Sequence, residues 1–272
     1  VPSSRLFKSP QLRAAVIVHR SVESSMPATT VQLLNIVKQQ LGERQMKVSS
    51  VICSSLKTQD VEVELIDLQN EFPNEIWILR SPSDSTLEWC AQHHPECVVL
   101  GAQPNPAFFA GVDLDINAVF AHSLKLCLEK DKREVVFITP PGQSHAQDKL
   151  SQFLDVYSVS NVSVRVEHLP NREPKEAKRK VLNLLSSRPS PNAYICVNFQ
   201  QWLLVYSVLV EAKISPLDEV FLLCHYADPL MDHISHGVSH YSFDWASAAH
   251  YLVDRVAQFS VNDTADVLVL SP

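Results

Sequence analysis

The sequence predicts an α/β fold made of two similar halves, each a parallel sheet flanked by helices. Three observations predict it. Continuously apolar runs of four to six residues, mostly rich in Val and Ile, recur along the chain, and runs of that length suit strands buried on both faces of a parallel sheet. Amphipathic stretches with helical spacing lie between them. The alternation also occurs twice, once from Arg13 to about Leu114 and again from about Asp115 to Tyr226.

The first series opens with the run Ala14–Val18. The stretch Thr30–Leu41 then places Val31, Leu34, Val37 and Leu41 on one helical stripe, and the runs Val48–Cys53, Ile76–Leu79 and Cys97–Leu100 follow. The second series begins with the helical stretch Ile116–Glu129, which carries Val119, Leu124, Leu126 and Leu128. After it come the run Val135–Ile138, the run Val162–Val166, the helix Lys175–Leu185 and the run Ala193–Val197. Gln200–Ala212, with Leu203, Tyr206, Leu209 and Val210, reads as a helix before the run Val220–Cys224, and Trp245–Gln258 as a further helix. Strand–helix alternation of this kind implies right-handed crossovers. Residues 1–12 read as a linker, 13–114 with part of 227–272 as an N-terminal lobe, and 115–226 with the remainder of 227–272 as a C-terminal lobe. Two such lobes imply a cleft between them.

Composition excludes several function classes. The chain has 272 residues, 46% of them hydrophobic, and a net charge of −7 with no basic stripe, so by itself it is a poor DNA binder. Its longest strongly apolar stretch, Trp202–Val210, is too short to span a bilayer, and no membrane partner is expected. Six scattered cysteines without a C-x-x-C pair read as a reduced, cytoplasmic set. The first residue is Val, and the chain reads as cut from something longer. Glycine occurs only at 42, 101, 111, 142 and 237, which rules out the closely spaced glycines of dinucleotide-binding and P-loop motifs. There is no G-x-S-x-G elbow for acyl transfer. His225, His233, His236 and His240 invite a zinc reading, but they lack the spacing of a metal motif. Neither enzymatic activity nor a cofactor or metal is expected.

Four segments carry a resemblance to a known family. They are Arg13 to His19; Val112 to Ala118 with the helix to Glu129 and Lys132 to Ile138; Pro191 to Phe199 with Val210 to Ile214 and Asp218 to Cys224; and Val238 to Val253. In this order they resemble the effector domain of the lac-repressor (LacI/GalR) family of bacterial transcriptional regulators across nearly the whole chain. The ungapped spacing from Pro191 to Ile214 is the strongest part. The resemblance implies a two-lobed, type-1 periplasmic-binding-protein-like fold that senses a small molecule in the inter-lobe cleft. It also implies operator DNA bound through an N-terminal headpiece of LacI or GntR type, and a homodimer. The alternative with the same fold is a periplasmic solute-binding protein of a transporter.

Candidate ligand residues follow from that resemblance and from the rule that ligands bind beyond the carboxyl ends of parallel strands. Ser24, Ser25 and Met26 follow the first strand, although serines there also suit a helix cap before Pro27. Asp115 sits at the crossover and equally suits the N-cap of the helix after it. Gln143 and His145 follow the strand Val135–Ile138. Lys149 stands where the family places a basic residue that reaches the cleft. Ile195, Phe199 and Tyr226 lie at later strand ends, with His225 and Asp228 beside Tyr226. Phe199 and Tyr226 stand where the family has ligand-binding aspartates, and Cys224 and Lys213 where it has glycines. A site that keeps Lys149 and exchanges acids for aromatics suits an anionic or flat polar ligand as well as a sugar-like one.

Overall fold

The computed structural model describes residues 14–19, 28–54, 56, 62–101, 109–140, 145–156, 162–170, 174–216, 219–226, 228, 230–234, 239–259 and 267–271; at 145–149, 174 and 232 only the backbone is described. By their contacts the residues form two units, one of which holds Thr30–Leu114 with Asp244–Leu270 and the other Asp115–Phe243.

The first unit holds a six-stranded sheet. Its strands are β1 (Ala14–His19), β2 (Lys47–Ile52), β3 (Ile76–Arg80), β4 (Cys97–Leu100), β5 (Ala110–Leu114) and β11 (Val267–Leu270), in the order β11-β5-β4-β3-β1-β2. Helices α1 (Ala28–Glu43), α2 (Glu62–Glu71) and α3 (Asp84–His93) connect them, and α9 (Trp245–Ala257) precedes β11. The second unit holds a five-stranded sheet of β6 (Glu134–Thr139), β7 (Ser163–His168), β8 (Ala193–Cys196), β9 (Phe221–Cys224) and β10 (Ser239–His240), in the order β10-β9-β8-β6-β7. Its helices are α4 (Ile116–Glu129), α5 (His145–Val156), α6 (Pro174–Ser186), α7 (Phe199–Glu211) and the one-turn α8 (Met231–Ile234). Every strand pair in both sheets is parallel.

The central strands are apolar because helices cover both faces of each sheet. β4, β8 and β9 are buried along their whole length, and β1, β3 and β6 at all but one end residue. One face of the first sheet packs Val16, Val18, Trp77, Leu79 and Val99 against Leu65, Leu68 and Trp89. One face of the second packs Val136, Ile138, Tyr194, Cys196 and Leu222 against Val181 of α6 and Trp202, Val205 and Leu209 of α7. Across the other face, Phe120 of α4 meets Phe137 edge-on at 5.7 Å.

The reading of every apolar run as a strand buried on both faces is corrected at two of them. β2 and β7 alternate between exposed and half-buried residues because each is the outermost strand of its sheet. β5 lies inside the first sheet, although Gly111 and the buried Asp113 interrupt its apolar pattern. No helix among the described residues is long and apolar enough to cross a membrane.

Candidate functional site

Strand order locates the candidate site on each unit separately. In the first sheet the chain leaves β1 for β2 on one side and returns to β3 on the other, so the order reverses between β1 and β3. In the second it leaves β6 for β7 and returns to β8, so the reversal falls between β6 and β8. Loops diverge at such points and leave room for a ligand beyond the carboxyl ends of the strands.

In the first unit, turns in left-handed backbone shape this edge. Ser81 follows β3 at φ 48°, Gly101 follows β4 at φ 73°, and the Ser81 N–H donates to the Leu100 carbonyl at 2.7 Å. A Cβ on Gly101 would stand 3.2 Å from Ser81 Oγ, so this turn needs glycine for its conformation and for space. Ser83 caps α3, accepting from the Thr86 N–H at 3.2 Å. His19, at the end of β1, is buried.

In the second unit, side chains cap the helices that start at this edge. Asp115 accepts from the Ala118 N–H at 2.9 Å and begins α4. α4 turns directly into the start of β6, so its own N-terminus lies where the strands finish. Asn198 follows β8 and accepts from the Gln201 N–H at 3.0 Å to begin α7. Thr139 Oγ1 and His168 Nδ1, at the ends of β6 and β7, are 2.7 Å apart. Tyr226 follows β9 and meets the Phe243 ring at 6.2 Å.

Of the residues singled out from sequence, Asp115, Phe199 and Tyr226 all lie on this edge of the second unit. Asp115 serves as a helix cap there. Phe199 is the first residue of α7, half-buried and stacked on Trp202 at 6.1 Å. His145 is the first residue of α5 and Lys149 lies one turn further on; only their backbone is described. Ser24, Ser25, Met26 and Gln143 lie outside the described residues. Ile195 lies inside the second sheet. It is fully buried in β8, paired in register with Phe137 and Leu223, so its side chain belongs to the sheet core. Of the histidine cluster, His225 is buried, His233 is exposed, His240 is half-buried and His236 lies outside the described residues. Among the described residues no three His, Cys, Asp or Glu side chains gather as a metal site.

Sequence reasoning missed a polar group behind this edge. Ser123 Oγ lies 3.0 Å from His225 Nε2 and 3.1 Å from the Tyr241 hydroxyl, and all three side chains are buried. Burial pushes the pKa of His225 down to about 3. Burial also raises the Tyr241 hydroxyl, against its hydrogen bond with Ser123, so both groups are held neutral.

No protein-family profile matches the chain, and no curated protein does. Solved structures do. A LacI family transcriptional regulator from Bifidobacterium animalis subsp. lactis superposes with a TM-score of 0.76 at 15% identity, covering 96% of this chain and 94% of that one. The trehalose repressor from Escherichia coli gives 0.74 at 13% identity, covering 94% and 97%. A LacI family regulator from an Arthrobacter species, solved in complex with lactose, gives 0.74 at 10% identity and covers 96% of both chains. The chain therefore has the periplasmic-binding-protein-like α/β fold of LacI-family transcriptional regulators, with its two parallel sheets flanked by helices.

Proposed function

We propose that this chain is the effector-binding domain of a LacI-family transcriptional regulator, sensing a small molecule in a cleft between its two units. The observation that carries the reading is the near end-to-end likeness to such regulators, 94% or more of both chains. The solved neighbours named above are regulators rather than enzymes, which favours a non-enzymatic role and weighs against a transporter's solute-binding protein. In the intact regulator a homodimer would carry paired N-terminal headpieces. Ligand-driven closure would change their spacing and hence operator affinity.

The proposed contacts are Ser24, Ser25, Met26, Asp115, Gln143, His145, Lys149, Phe199 and Tyr226. Ile195 is left out because it is buried in the sheet. The lactose-bound neighbour supports a sugar-like effector. Aromatic Phe199 and Tyr226, together with the cation of Lys149, favour an anionic or flat polar variant of one.

A thermal-shift screen of sugars, sugar acids and nucleobases tests this. One class should raise the melting temperature with concentration, by the equivalent of about 2.7 kcal/mol at a hundred times Kd. Lys149→Ala should weaken that ligand about tenfold to a hundredfold, the usual cost of a lost charge-assisted bond. Turnover of a bound compound, or a panel that shifts nothing, would overturn the reading.

A further inference from the structure

Four polar side chains meet inside the second unit, at the carboxyl ends of β9 and β10. Ser123 Oγ donates to the Val119 carbonyl at 2.7 Å. The same oxygen is 3.0 Å from His225 Nε2 and 3.1 Å from the Tyr241 hydroxyl. That hydroxyl is 3.0 Å from Nδ1 of His122, which stands exposed on α4. Each hydroxyl has a single proton, so these four contacts need four protons. Ser123 has given its own to Val119. His225 must then donate to Ser123 from Nε2, Tyr241 must donate to Ser123, and His122 must donate to Tyr241 from Nδ1. The longer approach of the Tyr241 hydroxyl to the Val119 carbonyl, 3.4 Å, competes poorly with this arrangement.

The chain of bonds ties two strand ends to one helix. His225 directly precedes Tyr226, and Tyr241 lies two residues before Phe243, its ring partner. The His225 ring packs on Phe120 at 5.4 Å, Tyr241 at 5.7 Å and Phe137 at 6.1 Å. Other groups around it are Cys224 and Tyr226 on its own strand, His122 and Cys127 on α4, His240 on β10, and from α5 the Phe153 ring behind Phe120. Asp228, three positions on, is the carboxylate that acts on Cys224, but burial alone moves His225, so among the described residues no anion balances an imidazolium.

We propose that His225, Ser123 and Tyr241 form a latch that positions Tyr226 and Phe243 at the strand ends, and that the latch releases when His225 takes up a proton. His225 is thus a positioning residue rather than a ligand contact. A charged imidazolium in this ring of aromatics must reach water, which requires the ends of β9 and β10 to leave α4. The latch depends on the geometry of the second unit alone. Only its bearing on ligand affinity rests on the function proposed above, so a failed ligand screen leaves the following test intact.

The test is amide hydrogen exchange of residues 225–226 and 241–243 in the whole chain from pH 7 to pH 4, corrected for intrinsic exchange rates. Protection should be level above about pH 6.5 and fall by up to about tenfold per pH unit below it, since opening is coupled to one proton. His225→Phe should make these segments level across the range. Ser123→Ala should lower protection at every pH and keep the slope. Level protection in the unaltered chain, or an equal slope in His225→Phe, would overturn the proposal. Should His225→Phe not fold, the Ser123→Ala slope and the nitrogen-15 spectrum of His225 decide instead. A proton on Nδ1 rather than Nε2 at pH 7, or no slope in Ser123→Ala, would equally overturn it.

Discussion

His94 in the first unit and His225 in the second are similarly little exposed, 2% and 3%, yet their surroundings differ. His94 precedes β4, stacks on Trp77 at 3.9 Å, and places Nε2 3.0 Å from the Glu75 carbonyl, with the Glu75 and Glu96 carboxylates nearby. Burial lowers its pKa, but the carbonyl and both carboxylates pull it back up. His225 has burial alone and falls to about 3. Similar exposure thus goes with unequal acid sensitivity, because His225 is packed in more deeply and has no carbonyl or carboxylate to offset its loss of water, as His94 does. The two candidate edges also differ: the first unit adds left-handed turns at Ser81 and Gly101 to its Ser83 cap, whereas the second has the Asp115 and Asn198 caps and the His225 latch.

The largest expected effects test the two cores. Trp77→Ala and Trp202→Ala should each cost about 3–5 kcal/mol in urea denaturation. The Phe variants sharpen the contrast. Trp77 Nε1 donates to the Phe72 carbonyl at 3.3 Å, whereas Trp202 Nε1 is buried without a partner. Trp77→Phe should therefore cost about 1 kcal/mol more than Trp202→Phe, and equal costs would contradict that difference.

Acid comes next. The unfolded chain protonates His225 near its ordinary pKa of 6.5, and the folded chain does so only near 3. Stability is therefore full above pH 6.5 and declines as pH falls through that window, by about 2 kcal/mol at pH 5. His225→Phe should remove this part of the acid loss, and His94→Phe a smaller part. A larger effect at His94 in pH-dependent denaturation would reverse the comparison.

Smaller effects compare the two edges. Gly101→Ala should cost about 1 kcal/mol, since φ is 73° and Ser81 Oγ crowds the new Cβ. Asn198→Ala should cost a similar amount, about 1 kcal/mol, through the lost cap of α7. Smallest is Arg44→Ala, at about 0.5 kcal/mol, because its pair with Asp254 joins α1 to α9 at an exposed surface. Thermal melts of the three variants check this order.

The amino-acid pattern by itself determined the α/β class and the central strands. β1, β3, β4, β6, β8 and β9 are each covered on both faces, so burial writes them as unbroken apolar runs. It determined α4 and α7 equally well, because a helix packed on one side repeats its apolar positions at a fixed spacing. α3 escaped notice because its buried face mixes Thr86 and Cys90 with Leu87 and Trp89, and β10 because two residues show no period. Strand ends also pointed to Asp115, Phe199 and Tyr226, since order along the chain says where a strand stops. Only the tertiary structure decided that β2 and β7 are edges, that β5 with its Asp113 is interior, and that Ile195 belongs to the core. It alone brought Ser123 to His225 and Tyr241, 102 and 118 residues away. A periodic pattern records how often a side chain meets the core; it carries no record of which distant side chain it meets there, and hydrogen bonds between buried polar groups are set by that second fact.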